Sequence, residues 1–415
     1  MKKFLLILVL FSGFGTISLA NPTELIGWAS VNANGQNGTT GGEGGLTVRV
    51  STLADLVFQA QRTETLTILI EGMLDLTTQT GTGRYVFIHS NKTIAGAQPG
   101  SGIRNGGFRI RSPHRNIIFR NLNITDSPED GIQINGEIHH VWIDRCTFMR
   151  PVDGALDITN GANYITVSYC LFTDLNRASL ISASDDDVFG NLGRYKITFH
   201  HNWFRSTTQR NPRVRFGQVH VFNNYYTNVS LYGIGIGNRA HIISENNFFD
   251  TVLAASRFYD DALNQGFFVD TGSILHNSGN FVSRPIGINW NPANHYQYTL
   301  TETLMVPQIV MANAGAEQTS THVPITSEKS AKIQIAVFPN PITEVGHITI
   351  QMPYSARVKA TLFDISGRKI SVLANEVLAP GHSAIPFDRK GLSSGVYFLK
   401  IEAGTETLTQ KVLIR

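Results

Sequence analysis

Apolar and polar residues alternate with period two in six segments of nine: 116–124, 140–148, 164–172, 196–204, 218–226 and 241–249. Their starts lie 24, 24, 32, 22 and 23 residues apart. The second positions are Ile117, Val141, Ile165, Ile197, Val219 and Ile242; the fourth are Phe119, Ile143, Val167, Phe199, Val221 and Ser244. The ninth are Ile124, Phe148, Phe172, Phe204, Tyr226 and Phe249. Period two puts positions two and four on one face of a strand. A shared register in six segments predicts that each strand stacks on the one before. A spacing near 23 residues suits one coil of several short strands, which predicts an all-β chain built as a right-handed parallel β-helix. Propeller blades repeat at roughly 40 residues and fit less well. The seventh column runs Leu122, Cys146, Cys170, Asn202, Asn224, Asn247 and predicts an asparagine ladder.

Upstream, strand patterns fall at Leu46–Val50, Leu66–Ile70 and 85–88, with one helix over 51–61 capped by Ser51 or Thr52. The glycine-rich run 34–45 leads straight into a strand and reads as a closely packed turn region rather than a flexible linker. Downstream the repeat fades, and 289–316 is expected to pack along or cap the helix. Residues 317–332 are Ser/Thr-rich with little apolar content and read as a linker. From 333 to 415 strand patterns at 347–352, 358–364 and 396–401 predict a small β-sandwich. It lacks paired acids or a histidine cluster, which argues against catalysis there.

Residues 1–20 have a basic start, an apolar core and a small-residue end at Ser18-Leu-Ala20, the pattern of a secretory signal peptide. The domain plan is therefore 1–20 signal, 21–316 β-helix, 317–332 linker and 333–415 β-sandwich. No later apolar run is long enough to span a membrane. Lys plus Arg number 34 against 31 Asp plus Glu, a net charge of +3, so bulk charge does not point to nucleic acid. Two cysteines make no disulfide framework. On adjacent coils their Cα atoms should lie roughly 5 Å apart. Stacked side chains point the same way, so two buried thiols are expected, with a disulfide as the other reading.

Five or six residues past the ninth positions come Asp130, then Asp153 with Asp157, then Arg177, then Arg210. On stacked coils these would form one column. Three carboxylates suit one hard cation such as calcium, which takes oxygen ligands in irregular geometry. Arginines suit two-point capture of carboxylates. A linear polyanion with repeating carboxylates matches the column, and polygalacturonate fits. Against this, Asp130-Gly131 and Asp153-Gly154 are also ordinary turn pairs. His200 and His201 are expected to face opposite ways, and 185–187 to be a solvated acidic loop without EF-hand spacing.

Trp142-Ile-Asp-Arg-Cys-Thr-Phe148, Asp153-Gly-Ala-Leu-Asp-Ile158, Ile165-Thr-Val-Ser168, Thr198-Phe-His-His-Asn202 and Arg210-Asn-Pro-Arg-Val-Arg-Phe-Gly217 together resemble the pectate lyases of polysaccharide lyase family 1. The likeness covers roughly 25–316. It implies that Asp130, Asp153 and Asp157 are calcium ligands, Arg210 the catalytic base, and Arg215 a substrate-binding arginine. Arg177 stands where the family usually has a substrate-binding lysine, and Arg145 where it usually has histidine. Glu129-Asp130 offers one aligned acid where the family often has two. The Val337-Phe-Pro-Asn-Pro341 opening, Gly395-Val-Tyr-Phe398 and the basic end resemble the sorting domain of the type IX secretion system.

The resemblance implies a secreted or cell-surface pectate lyase, expected as a monomer. It would cleave de-esterified pectin by calcium-assisted β-elimination, with activity at alkaline pH because a guanidinium is a base only when neutral. Three other readings remain open at this point: a pectin lyase on methylated chains, a carboxylate-based β-helical hydrolase, and a non-catalytic pectin-binding β-helix.

Overall fold

The computed structural model describes residues 24–81, 83–186, 193–316, 333–352, 355–379, 381–404 and 406–415. The signal segment 1–20, the linker 317–332 and Asp187 lie outside them. Two compact units divide the chain between Thr319 and Ser320.

The first unit is a parallel β-helix. Among the described residues, one sheet has ten strands whose spatial order is their chain order, from Leu46–Val50 to Phe267–Thr271. A second, sixteen-stranded sheet forms two legs joined through the long strand Leu171–Ile181, which pairs in both. The six-segment register holds. Ile117 pairs with Val141, Val141 with Ile165, Ile165 with Ile197, Ile197 with Val219 and Val219 with Ile242. All six are fully buried.

The ninth column is an aromatic stack. Phe148, Phe172, Phe204 and Tyr226 follow one another at 4.9 Å between ring centroids, and Tyr226 to Phe249 is 4.2 Å. The seventh column is the ladder. Asn224 Oδ1 accepts from the Asn202 backbone N–H and amide, both at 2.9 Å, and Asn247 Oδ1 accepts from Asn224 in the same way at 2.8 and 3.0 Å. Each buried amide thus satisfies backbone groups that the corner of the coil leaves unpaired. Cys146 and Cys170 are buried free thiols, with the Cys146 N–H 3.4 Å from Cys170 Sγ.

The open N-terminal end is covered by the helix Leu53–Ala60, whose cap is Thr52, accepting from the Asp55 N–H at 3.1 Å. Its Leu56 and Ala60 are buried in the same core as Leu66 and Ile68. The glycine-rich run is a packed turn: Thr40 and Gly41 both donate backbone N–H groups to Asn116 Oδ1 at 2.8 Å. Residues 289–316 lie along the side of the coils. Tyr296 and Trp290 pack on Trp28, and at the far end of the segment the Ala316 N–H donates to Thr147 Oγ1 at 2.9 Å.

That flanking segment corrects the expectation for His200 and His201. Both are buried, with their Nδ1 atoms 3.0 Å apart. The strand ends at His200, and His201 turns to φ 54°, so alternation stops between them. His201 Nε2 meets Thr301 Oγ1 at 3.0 Å, and His200 stacks on Phe222. Burial pushes His201 down to about 3 and His200 well below the ordinary histidine range.

The second unit is a sandwich of a three-stranded and a four-stranded antiparallel sheet. Ile348, Ile350, Leu362, Phe387, Leu399 and Val412 fill its core. Its Asn340 donates to the Lys411 carbonyl at 3.0 Å and accepts from the Leu413 N–H at 2.7 Å, so the motif that opens the unit is tied to the strand that ends it.

Two outcomes are expected. Asn224→Ala should cost about 3 kcal/mol in denaturant unfolding, because it orphans the buried Asn202 donors on one neighbouring coil and takes a donor from Asn247 Oδ1 on the other; a loss under about 0.5 kcal/mol would empty the ladder of energetic meaning. The second concerns pH. The histidines are held neutral by the fold, so the unfolded chain binds protons that the native chain does not. Their stabilising contribution is whole above about pH 6.5 and falls as pH drops toward about 3. The unfolding midpoint should therefore decline from pH 7 to pH 4, less steeply in His201→Gln; parallel slopes in the two proteins would show that His201 does not contribute.

Candidate active site

The predicted acids gather at the corner leading into the strands Ile132–Asn135 and Gly154–Thr159. Asp130 is buried. Its backbone N–H donates to Tyr85 Oη at 3.1 Å, its Oδ1 accepts from the Gly154 N–H at 3.1 Å and its Oδ2 from Gln133 Nε2 at 3.0 Å. Asp157 points to the same place. A Cβ on Gly154 would fall 2.6 Å from Asp157 Oδ1 and 3.0 Å from Asp130 Oδ1, so only glycine leaves the space where the two carboxylates converge. Asp157 Oδ1 is shut from solvent and has no hydrogen-bond partner in the structure.

Two desolvated carboxylates in one niche resist ionising together. Burial lifts Asp130 to about 6, with Asp153 and Glu129 adding to it and Gln133 opposing. Burial, then the charges of Asp130 and Asp153, lift Asp157 to about 8 against the attraction of Arg210. Such a pair, with an orphaned buried oxygen, is a donor set suited to a hard divalent cation. Asp153 differs from expectation: its carboxylate is turned to the Arg177 guanidinium. Among the described residues, no three acidic, histidine or cysteine side chains form a metal cluster as they stand.

The arginines come from the next coils. The chain turns at Arg210, φ 62°, where its carbonyl accepts from the Ser179 N–H at 2.7 Å. Fully buried Asn211 pins the loop by donating to the Tyr232 carbonyl at 3.0 Å, ahead of the cis Asn211–Pro212 bond. Arg210 Nε is buried without a hydrogen bond. Arg215 is buried and held by Asp185 Oδ1 at 2.5 Å and the Ser182 carbonyl at 2.9 Å. Asp185 is thus an ion-pair partner rather than only a solvated loop residue. Arg145 lies elsewhere, against buried Asp144 at 3.1 Å and over the Tyr169 ring.

The single column expected from counting is displaced. Gly154 pairs with Arg177 and Arg177 with Gln209, so Asp153 and Arg210 sit one residue off that line. The cause is unequal corners. Phe148 to Leu156 is eight residues, whereas Phe172 to Ser179 is seven on the next coil, yet Leu156 pairs with Ser179. A second repeat gives the true register: Phe108-Arg-Ile-Arg111, Ile132-Gln-Ile-Asn135, Leu156-Asp-Ile-Thr159, Ser179-Leu-Ile-Ser182, Pro212-Arg-Val-Arg215. Its apolar positions point inward. Its outward columns are Arg109, Gln133, Asp157, Leu180, Arg213 and Arg111, Asn135, Thr159, Ser182, Arg215. Sequence reading missed Arg109, Gln133 and the place of Arg213, although this alternation carries the signal. Burial, then Arg215 and Arg210, pull the Arg213 guanidinium below the ordinary arginine range.

Comparison with known proteins agrees with the fold. The pectate lyase family profile matches residues 8–319, and the profile of the secretion system C-terminal sorting domain matches 336–415. The chain belongs to the pectate lyase family, a family of polysaccharide lyases, and carries a type IX sorting domain; it is a secreted or cell-surface protein. It is 37% identical over 236 residues to a pectate trisaccharide-lyase of Thermotoga sp. (strain RQ2), covering 54% of this chain and 63% of that protein. It is 33% identical over 311 residues to probable pectate lyase B of Aspergillus terreus, covering 73% and 88%. Among solved structures, a variant of Bacillus subtilis pectate lyase matches at 27% identity and TM-score 0.59 over 70% of this chain and 96% of that one. The Acidovorax avenae subsp. citrulli pectate lyase shares the fold at TM-score 0.63 and 20% identity, over 74% and 99%.

If the Asp130–Asp157 niche is a cation site, calcium should raise the unfolding midpoint of the protein and Asp157→Asn should remove most of that rise. An equal calcium-dependent shift in the variant would take Asp157 out of the site.

Proposed function

We propose that this protein is a secreted pectate lyase cleaving α-1,4-polygalacturonate by calcium-assisted β-elimination. The observation that carries the reading is the niche of Asp130 and Asp157 with Arg210 on the following coils, its Nε buried and free of hydrogen bonds. Asp130, Asp153 and Asp157 are assigned to calcium, with Asp153 leaving Arg177 to reach it. Bound there, calcium would draw charge from a uronate carboxylate and acidify the neighbouring C5 proton.

Arg210 is assigned as the base that takes the C5 proton. The C5–H electron pair becomes the C4–C5 double bond, the C4–O4 bond breaks, and O4 leaves and picks up a proton from water. Arg177 and Arg215 hold uronate carboxylates through the planar two-point contact that guanidinium allows. Asp185 keeps Arg215 oriented while no substrate is bound. The domain assignment is 1–20 signal, 21–316 lyase, 317–332 linker and 333–415 sorting domain, with the last read by the type IX secretion machinery.

The decisive assay follows the ultraviolet absorbance of unsaturated product from polygalacturonate, with and without a chelator. Release of saturated ends would remove the elimination reading, and full activity in chelator would remove calcium from it. Arg210→Lys keeps the charge and loses the geometry, so turnover should fall about 10²–10⁴-fold with substrate still bound. Arg215→Lys should weaken binding as well. Near-normal turnover in Arg210→Lys would pass the role of base to Arg213, which shares a column with Asp157, or to Arg177.

A further inference from the structure

On the other side of the acidic niche, the strand Gly107–Arg111 carries Arg109 and Arg111 outward. Arg109 is one coil before Gln133 and two before Asp157 in one column. Its guanidinium lies 3.7 Å over the ring of Tyr85, the residue whose hydroxyl receives the Asp130 N–H. Arg111 lies 5.2 Å over Phe87 on the same preceding strand. Arg109 makes no ion pair among the described residues, and its Nε is buried without a hydrogen bond. By contrast Arg104, Arg120 and Arg150 each meet a carboxylate. A cation held flat on an aromatic ring, facing outward and left without an anion, is preorganised to receive one from outside.

We propose that Arg109 is a specificity-determining residue that binds a uronate carboxylate on the far side of the niche from Arg210, with Arg111 extending that contact. This rests on the polygalacturonate reading. Coils are spaced by about 4.8 Å, so Arg109 stands about 10 Å from Asp157 and about 19 Å from Arg213 along the column. One sugar residue spans roughly one coil. A trisaccharide engaged at Arg210 and Arg215 therefore stops short of Arg109, while a hexasaccharide reaches it. The arginine sets how much of a chain is gripped on that side and so favours long substrates.

The test measures binding of tri- and hexagalacturonate by calorimetry in an Arg210→Lys background, with calcium present, comparing Arg109→Ala and Arg109→Lys. Arg109→Ala should lose about tenfold or more in affinity for the hexamer and no more than about twofold for the trimer, since charge-assisted hydrogen bonds are strong. Arg109→Lys should recover part of the loss. Equal losses at both lengths, together with weaker calcium binding, would mean that Arg109 only props Tyr85 and Asp130, and would overturn the proposal. So would unchanged hexamer affinity. Because binding is read directly, wild-type protein that binds hexamer yet produces no unsaturated ends would refute the lyase reading while leaving the Arg109 result to be scored on its own.

Discussion

Everything in the larger unit depends on the backbone hydrogen bonds between coils, which fix one residue above another at about 4.8 Å. Inward side chains enforce that register, because a slip of one residue would turn Ile165 or Ile197 out and a polar neighbour in. Outward side chains have no say in where they stand. Asp130 and Asp157 are brought together by this scaffold despite repelling each other, and Arg210 is presented by a loop whose ends are pinned to coils on either side. The core supplies the energy that holds an unfavourable cluster of charge in place.

The coil repeat was legible because strongly apolar residues recur at fixed positions and burial tolerates no other register. The helix at 53–60 was legible from its threonine cap, and the acids from their place after each ninth residue. The lateral alignment of the arginines was not. Corner lengths vary between seven and eight residues, and no composition rule announces which coil is short. The burial of His201 and the ion pair that exposed Asp185 makes were not legible for a related reason. Each is governed by a partner remote in sequence, Thr301 in one case and Arg215 in the other, and periodicity reports only local neighbours. In the smaller unit Lys369–Leu378 escaped notice because its apolar residues, such as Val372 and Val377, are largely exposed.

Arginine serves two different purposes on the same scaffold. Arg120 and Arg145 both close on buried Asp144, which Ser168 also supports, although Arg120 Nη2 stays buried without a partner. Arg109, Arg210 and Arg213 also keep a nitrogen buried and unpartnered, and among the described residues none of them meets a carboxylate. The distinction lies in the supply of acceptors, since a guanidinium offers five donors and a single carboxylate satisfies few of them.

The tie between Asn340 and the last strand has a consequence in time. A coil of the β-helix can settle on the coil made before it, so the larger unit can grow as the chain emerges. The sandwich cannot, because the carbonyl of Lys411 and the N–H of Leu413 that anchor its first motif lie 71 and 73 residues after Asn340. That first motif is locked only once the strand Glu406–Ile414 has been made, by which point every coil of the β-helix already exists, so a completed address certifies that the larger unit has been synthesised.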